Sequence, residues 1–382
     1  MGPLQGLRIV EFAGIGPAPF CGMMLADMGA EVILIERKQA NPNTAGLVAD
    51  DRRLEFLHRG KQSIAVDLKQ PGARQMVMKI IARADAVLEG FRPGVMERLG
   101  LGPDECRAVN PKLVYGRMTG WGQTGPLSQA AGHDINYIAL AGALYYSGRD
   151  DSAPLAPPTM VGDIGGGAFV MAAGLLAALL SAQKTGAGQV VDAAIVDGAA
   201  YATTLLQGLF AQGHWGSSRH SNALDGAAHW YDCYECADGK FVSVGALEPD
   251  FYRMLLQKLG LDSDDAYDRQ MDQRRWPELK QKFSALFRQK TQQEWCDLLQ
   301  GSDACFAPVL DFEEAAAHPH NRARNTFVDI DGVTQPAPAP RFSETPSEVA
   351  RPPEIGAQCD AILSAAGLSA ADIDALREQR VI

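Results

Sequence analysis

RIVEFAGIGPAPFCGMMLADMGAEVILIE, residues 8–36, decides the fold. Arg8 to Phe12 is a short apolar run with the length of a buried strand, and the glycines and prolines of residues 14–19 break it. Phe20 to Met28 reads as a helix and Glu31 to Glu36 as a second strand, which completes a βαβ unit. The rhythm continues outward. Ser63 to Leu68 reads as a strand, Pro71 to Ala84 as a helix, and Asp85 to Glu89, Leu113 to Met118 and Val190 to Ile195 as further strands. Such alternation predicts an α/β fold, a doubly wound, Rossmann-like parallel sheet with helices on both faces.

This large domain is expected over residues 1–200, with 201–224 as a linker whose composition turns to glycine, serine, histidine and tryptophan. A smaller α+β domain is expected over 225–325. Tyr231 to Glu235 and Lys240 to Val244 flank an Asp238, Gly239 turn as a hairpin does, and helices are predicted at Asp250 to Leu259, Trp276 to Phe287 and Gln292 to Leu299. Residues 326–382 return to the large domain through the extended proline segment QPAPAP, 335–340, and a short helix after Leu368 and Ser369.

The chain has 382 residues, 46% of them hydrophobic, enough for a large core, and a formal net charge of −11 that argues against a general nucleic-acid binder. The first residues lack the charged and apolar regions of a signal peptide, so a cytoplasmic protein is expected. The apolar run Ala168 to Ala182 is too short to span a bilayer comfortably and reads as a buried helix; no membrane partner is expected. Seven scattered cysteines argue against a disulfide framework. Cys233 and Cys236 have redox or metal spacing but lie on a strand without a second Cys/His pair, so they read as structural and no metal site is expected.

Gly14, Gly16 and Glu36 invite a dinucleotide reading, with Arg37 and Lys38 suited to a 2′-phosphate. The third glycine is missing, and Pro17 and Pro19 stand where backbone N–H groups are wanted, so a structural turn is preferred. The basic residues Arg37, Lys38, Arg52, Arg53, Arg59 and Lys61 cluster, and Arg92 and Arg98 follow the fourth strand. EGFRPG, 89–94, is a sharp turn at a strand's C-terminal end, where open α/β sheets place ligands and arginines grip polyphosphates. Arg92 and Lys61 read as functional; for Lys38, Arg52 and Arg53 a solvated charged face is an equal alternative.

Three ionisable groups stand where helices begin: His133 before Asp134, Asp163 before Gly165, Gly166 and Gly167 with a helix from near Ala168, and Glu248 as an N-cap before Pro249. Helix N-termini favour an ionised carboxylate, an oxyanion and a neutral imidazole. His133 and Asp163 are therefore both candidate bases, although a lone turn histidine or a helix-capping aspartate has a purely structural reading as well.

The chain resembles the family III CoA-transferase superfamily and, within it, the bacterial alpha-methylacyl-CoA racemases. The resemblance runs almost end to end through GLRIVE at 6–11, EGFRPG at 89–94, RLGLG at 98–102, RMTGWGQTGP at 117–126, GHDINY at 132–137, GDIGGG at 162–167, GQVVDAA at 188–194 and VGALEP at 244–249. It implies an interlocked homodimer acting on acyl-CoA thioesters without a cofactor of its own. By the same resemblance, His133 and Asp163 are two bases, Glu248 supports the histidine, and the backbone N–H of Asp134 polarises the thioester carbonyl. Arg37, Arg92 and Arg98 hold CoA phosphates, Tyr137 lines the CoA site, and Arg59, Lys61, Leu88 and Gly90 are placed with the CoA-binding residues. Two positions depart from the pattern. YATTLLQGLF, 201–210, has no methionine where relatives line the acyl surface with several, and His58 replaces an asparagine before Arg59, Gly60 and Lys61.

The chemistry agrees. Inverting a carbon beside a thioester carbonyl requires one base on each face of a planar enolate, and a helix N-terminus at Asp134 supplies donors to its oxygen. The expected activity is thus interconversion of (2R)- and (2S)-2-methylacyl-CoA by 1,1-proton transfer. The alternative is CoA transfer with Asp163 as nucleophile. The residues lean against it: the superfamily's transferases place a glycine-rich loop over that aspartate, whereas this chain has Ala246, Leu247, Glu248 and Pro249. A non-catalytic acyl-CoA binder and a nucleotide-dependent oxidoreductase are more distant rivals.

Overall fold

The computed structural model describes residues 2–38 and 51–382. The chain divides into two compact units, one of Met1–Ala141, Pro157–Ala202 and Asn325–Ile382, the other of Gly142–Ala156 and Thr203–Arg324.

The first unit is built on six parallel strands: β1 (Arg8–Phe12), β2 (Glu31–Glu36), β3 (Gln62–Ala65), β4 (Ala86–Glu89), β5 (Val114–Thr119) and β6 (Val190–Ala194). Their order is β3-β2-β1-β4-β5-β6, so the connections run outward in opposite directions from β1 and β4 and leave a crevice at the strands' C-terminal ends. The helices are α1 (Pro17–Asp27), α2 (Ala73–Ile81), α3 (Val95–Arg98), α4 (Pro103–Val109), α5 (Asp134–Leu140), α6 (Phe169–Thr185) and α7 (Ile195–Ala202).

Strand residues alternate between two buried faces, which explains why these strands are apolar almost throughout. Val10, Phe12, Ile33 and Ile35 pack with Val77 and Ile80 of α2 and with Ile362 and Leu376 of two C-terminal helices, Cys359–Ala365 and Ala370–Glu378. Ile9, Val32 and Leu88 pack on the other side with Leu25 of α1 and Met171 and Leu175 of α6. The long apolar run is accordingly a core helix of this layer. The expected proline strap begins as the second strand of an antiparallel ribbon, Phe327–Ile330 with Val333–Pro336.

The longer stretch of the second unit opens on α8 (Thr204–Ala211), a helix inside the residues expected to be a linker. That expectation followed glycine and serine content, whereas TLLQGLFA itself is apolar and helix-competent. Residues 142–156 also belong to this unit, although they lie far from it in the chain. Its sheet is antiparallel, in the order β7 (Tyr231–Glu235), β8 (Phe241–Gly245) and β9 (Phe306–Val309). Gly239 turns the β7–β8 hairpin at φ 76°, a conformation that favours glycine. Helices α9 (Pro249–Leu259), α10 (Trp276–Phe287) and α11 (Gln292–Leu299) complete a core rich in aromatic residues, among them Trp230, Tyr234, Phe283, Phe287 and Trp295.

Candidate active site

Asp163 lies over the crevice. A Cβ added at Gly16, the residue before α1, would stand 3.3 Å from Asp163 Oδ2, and Gly16 itself has φ 71°. The apolar helix α6 begins at Phe169, close to where the sequence predicts, but Asp163 ahead of it is not in a turn. It belongs to a nine-residue π-helical segment, Met160–Ala168, that runs directly into α6. The glycines that read as a helix-start signal serve close approach instead. A Cβ at Gly166 would meet the backbone of Ala199 at 2.6 Å, one at Gly198 would meet the Gly166 carbonyl at 1.9 Å, and α7 therefore seats directly on the π-turn.

The same packing joins α5 to Asp163. Asp134, the first residue of α5, is buried, and its Oδ1 accepts the backbone N–H of Asp163 at 2.7 Å. A Cβ at Gly162 would collide with that oxygen at 2.5 Å, so glycine is required there. His133 is the N-cap of α5 in extended backbone, and its own N–H is held by Asn136 Oδ1 at 3.1 Å. Its imidazole is exposed. The N–H groups of Asp134 and Ile135 have no acceptor among the described residues, as the opening of a helix leads one to expect.

Burial pushes the Asp163 carboxyl above the ordinary aspartate range; the Thr159 hydroxyl, which donates to Oδ2 at 2.8 Å, pulls the other way. The negative charge of Asp134 adds to the rise, and His133 opposes it. The four groups therefore share one electrostatic neighbourhood. A carboxylate raised by burial is a stronger base than one in water.

Tyr137, expected to line the CoA site, is 8% exposed and packs edge-on against Trp121 with ring centroids 4.8 Å apart. Its hydroxyl donates to the Gly132 carbonyl, which fixes the turn that carries His133. A Cβ at Gly120 or Gly132 would strike its ring at 2.0 or 2.8 Å.

The basic cluster separates into two kinds of residue. Arg37 after β2, Arg92 after β4 and Arg98 at the end of α3 are exposed at the crevice side of the sheet and make no ion pair among the described residues. Arg59 and Lys61 correct the expectation. Arg59 is 3% exposed, with its guanidinium on Asp27 Oδ2 at 2.5 Å, Gln335 Oε1 at 2.9 Å and the Pro336 carbonyl at 2.8 Å. Lys61 is 5% exposed and bonds Glu11 at 2.7 Å and the Pro19 carbonyl at 3.0 Å. Both are framework cations, not polyphosphate ligands.

Arg52 is likewise held by Glu36 at 2.7 Å and by Glu55, and the occupied Glu36 leaves the dinucleotide reading without its ribose partner. Arg53 pairs with Asp51, and Lys38 donates to the Arg380 and Ile382 carbonyls. The His58 imidazole bonds Glu55 at 2.8 Å, and burial holds its pKa down at about 3. The Leu88 side chain is wholly within the core and offers a ligand no side-chain contact, while Gly90 is exposed with its missing Cβ directed to Ala18 at 3.3 Å. Glu248 lies in the second unit, exposed, as the N-cap of α9 with Pro249 at its first position; its side chain makes no capping bond.

Sequence reasoning missed two contributors. Thr159 carried no motif, although its position four residues before Asp163 places it within one helical turn. Glu89, buried at the end of β4, holds the Phe91 N–H at 2.7 Å and Arg117 at 3.1 Å, and Arg117 also pairs with Glu97 at 2.7 Å. This network fixes the turn that presents Arg92 and Arg98.

The CoA-transferase family III model matches residues 4–359. The chain belongs to CoA-transferase family III. It is 44% identical to the alpha-methylacyl-CoA racemase of Mus musculus over 382 residues, covering 99% of this chain and 97% of that protein. It is 41% identical to the racemase of Homo sapiens with the same coverage. Among solved structures it is similar to a CAIB/BAIF family protein from Brucella suis, with TM-score 0.82, 26% identity, and coverage of 96% of this chain and 99% of that one.

Proposed function

We propose that this family III chain is a racemase/epimerase that interconverts (2R)- and (2S)-2-methylacyl-CoA thioesters. The observation that carries the reading is the pairing of two candidate bases of different type, His133 and Asp163, on elements locked together by the Asp134 carboxylate. Identity to two racemases over almost the whole chain supports it. One base removes the α-proton, the thioester carbonyl becomes an enolate oxygen, and the other base returns a proton to the opposite face. The N–H of Asp134, which has no acceptor among the described residues, is the proposed donor to that oxygen; one such donor is worth about 3–4 kcal/mol in the transition state. Arg37, Arg92 and Arg98 take the CoA phosphates, and the scheme draws only on side chains and backbone.

Glu248 keeps in this reading the part of supporting His133, and an interlocked homodimer in the cytoplasm completes it. The family's name favours a second reading, CoA transfer with Asp163 as nucleophile. One experiment separates them: incubation with a single epimer of a 2-methylacyl-CoA in deuterated water, without an acceptor acid. Epimerisation with α-deuterium incorporation is expected. Consumption of acyl-CoA only after a free acid is added would establish transfer instead.

A further inference from the structure

Thr159 is a β-branched residue in left-handed backbone, at φ 51° and ψ 0°. That conformation is uncommon for any residue but glycine and an outlier for a β-branched one; such outliers gather at functional sites. It stands at the N-cap of the π-helical segment, yet its hydroxyl makes no capping bond to a backbone N–H. Its carbonyl accepts the Ile164 N–H at 3.3 Å, which opens the wide turn, and its hydroxyl donates forward to Asp163 Oδ2 at 2.8 Å. Threonine is favoured at N-caps because its oxygen satisfies an orphan N–H, and here that function is given up for a bond to a carboxylate.

The other neighbours of Asp163 reinforce the asymmetry. Oδ2 also faces Gly16, where a Cβ would stand at 3.3 Å, so this oxygen is enclosed by Thr159 and the β1–α1 turn. Oδ1 accepts no hydrogen bond among the described residues, and the backbone N–H of Asp163 is already held by Asp134. We infer that Thr159 is a positioning residue for the racemisation, holding the Asp163 carboxylate through Oδ2 and reserving Oδ1 as the atom that takes and returns the α-proton. The inference rests on the racemase reading. A hydroxyl that donates to a carboxylate stabilises its ionised form, so Thr159 also limits how far burial raises the basicity of Asp163.

The test is the pH dependence of kcat and kcat/KM, with α-deuterium exchange, for the full-length protein and for Thr159→Val and Thr159→Ser. Valine keeps the shape and loses the donor; serine keeps the donor. Thr159→Val is expected to move the acid limb of kcat/KM upward by about one pH unit and to lower plateau kcat about tenfold, with KM for the acyl-CoA little changed. Thr159→Ser is expected to restore the limb to that of the parent. Thr159→Ala gives the same readout if valine unfolds the turn. A lowered Tm with an acid limb that superimposes on the parent's would leave Thr159 a structural residue and overturn the inference alone. Absence of α-deuterium exchange in the parent protein overturns the racemase reading and the inference with it.

Discussion

The Asp134 carboxylate accepts the backbone N–H of Asp163 at 2.7 Å, so the residue after one candidate base holds the main chain of the other. Its negative charge also raises the Asp163 pKa, after burial and against the Thr159 bond. The two roles come apart by substitution. Asp134→Asn keeps an acceptor oxygen and removes the charge, so the acid limb of kcat/KM is expected to move to lower pH. Asp134→Ala leaves a part-buried N–H unpaired and is expected to cost about 1–3 kcal/mol of stability, read from chemical denaturation. An acid limb of Asp134→Asn that moves upward would contradict the assigned electrostatics.

Two different bases on opposite faces leave a signature when one is removed. Asp163→Asn retains His133, and His133→Ala retains Asp163. Each variant is expected to lose epimerisation by about 10²–10⁴-fold while still exchanging the α-proton of one epimer, with retention of configuration. The epimer that exchanges is expected to differ between the two variants. NMR of the α-carbon in deuterated water reads both quantities, and exchange of the same epimer in both variants would rule out bases on opposite faces.

The division of the basic residues gives opposite expectations for two arginines. Arg92 is exposed and unpaired among the described residues, so Arg92→Ala is expected to raise KM for acyl-CoA about 10–100-fold, with kcat changed far less. Arg59 is enclosed between Asp27 and the ribbon residue Gln335. Its removal strands a buried carboxylate, and Arg59→Ala is expected to cost about 3–5 kcal/mol of stability. Steady-state kinetics beside thermal melting distinguishes the two; a stable Arg59→Ala protein with a raised KM would return Arg59 to the CoA site.

Strand positions were legible because both faces of the sheet are buried, so each strand is an apolar run that glycine and proline interrupt. The stretch 8–36 folds as read, with α1 beginning at Pro17, a few residues earlier than its apolar pattern, because proline is suited to the first helical position. His133 and Glu248 were legible as N-caps from their neighbours alone. The π-helical segment around Asp163 was not legible, because three glycines look like a break in any pattern of propensity. Only the proximity of α7 explains them, and that is a fact of packing. Arg59 and Lys61 were misread for a related reason: a cation's partner is invisible when it lies as far away in sequence as Gln335 or Glu11.

Glu89 links the sheet core to the turn that carries Arg92 and makes stability depend on pH. Burial pushes its carboxyl up to about 7, against the opposing pull of the Phe91 N–H and Arg117. An unfolded glutamate titrates near its ordinary value of 4.5, so between the two values the folded state holds a proton that the unfolded state has released. The contribution is complete below the unfolded pKa and is lost as pH rises through the folded one. The Glu89 contribution to unfolding free energy is therefore expected to fall between about pH 4.5 and about pH 7. Glu11, pushed to about 7 by burial against the attraction of Lys61, adds to the same slope. Glu89→Gln cannot titrate, and its profile is expected to lack the Glu89 share of that fall, whatever its absolute stability. Denaturation curves of both proteins across that range measure the difference, and parallel profiles would mean that Glu89 is ionised throughout, held so by Arg117.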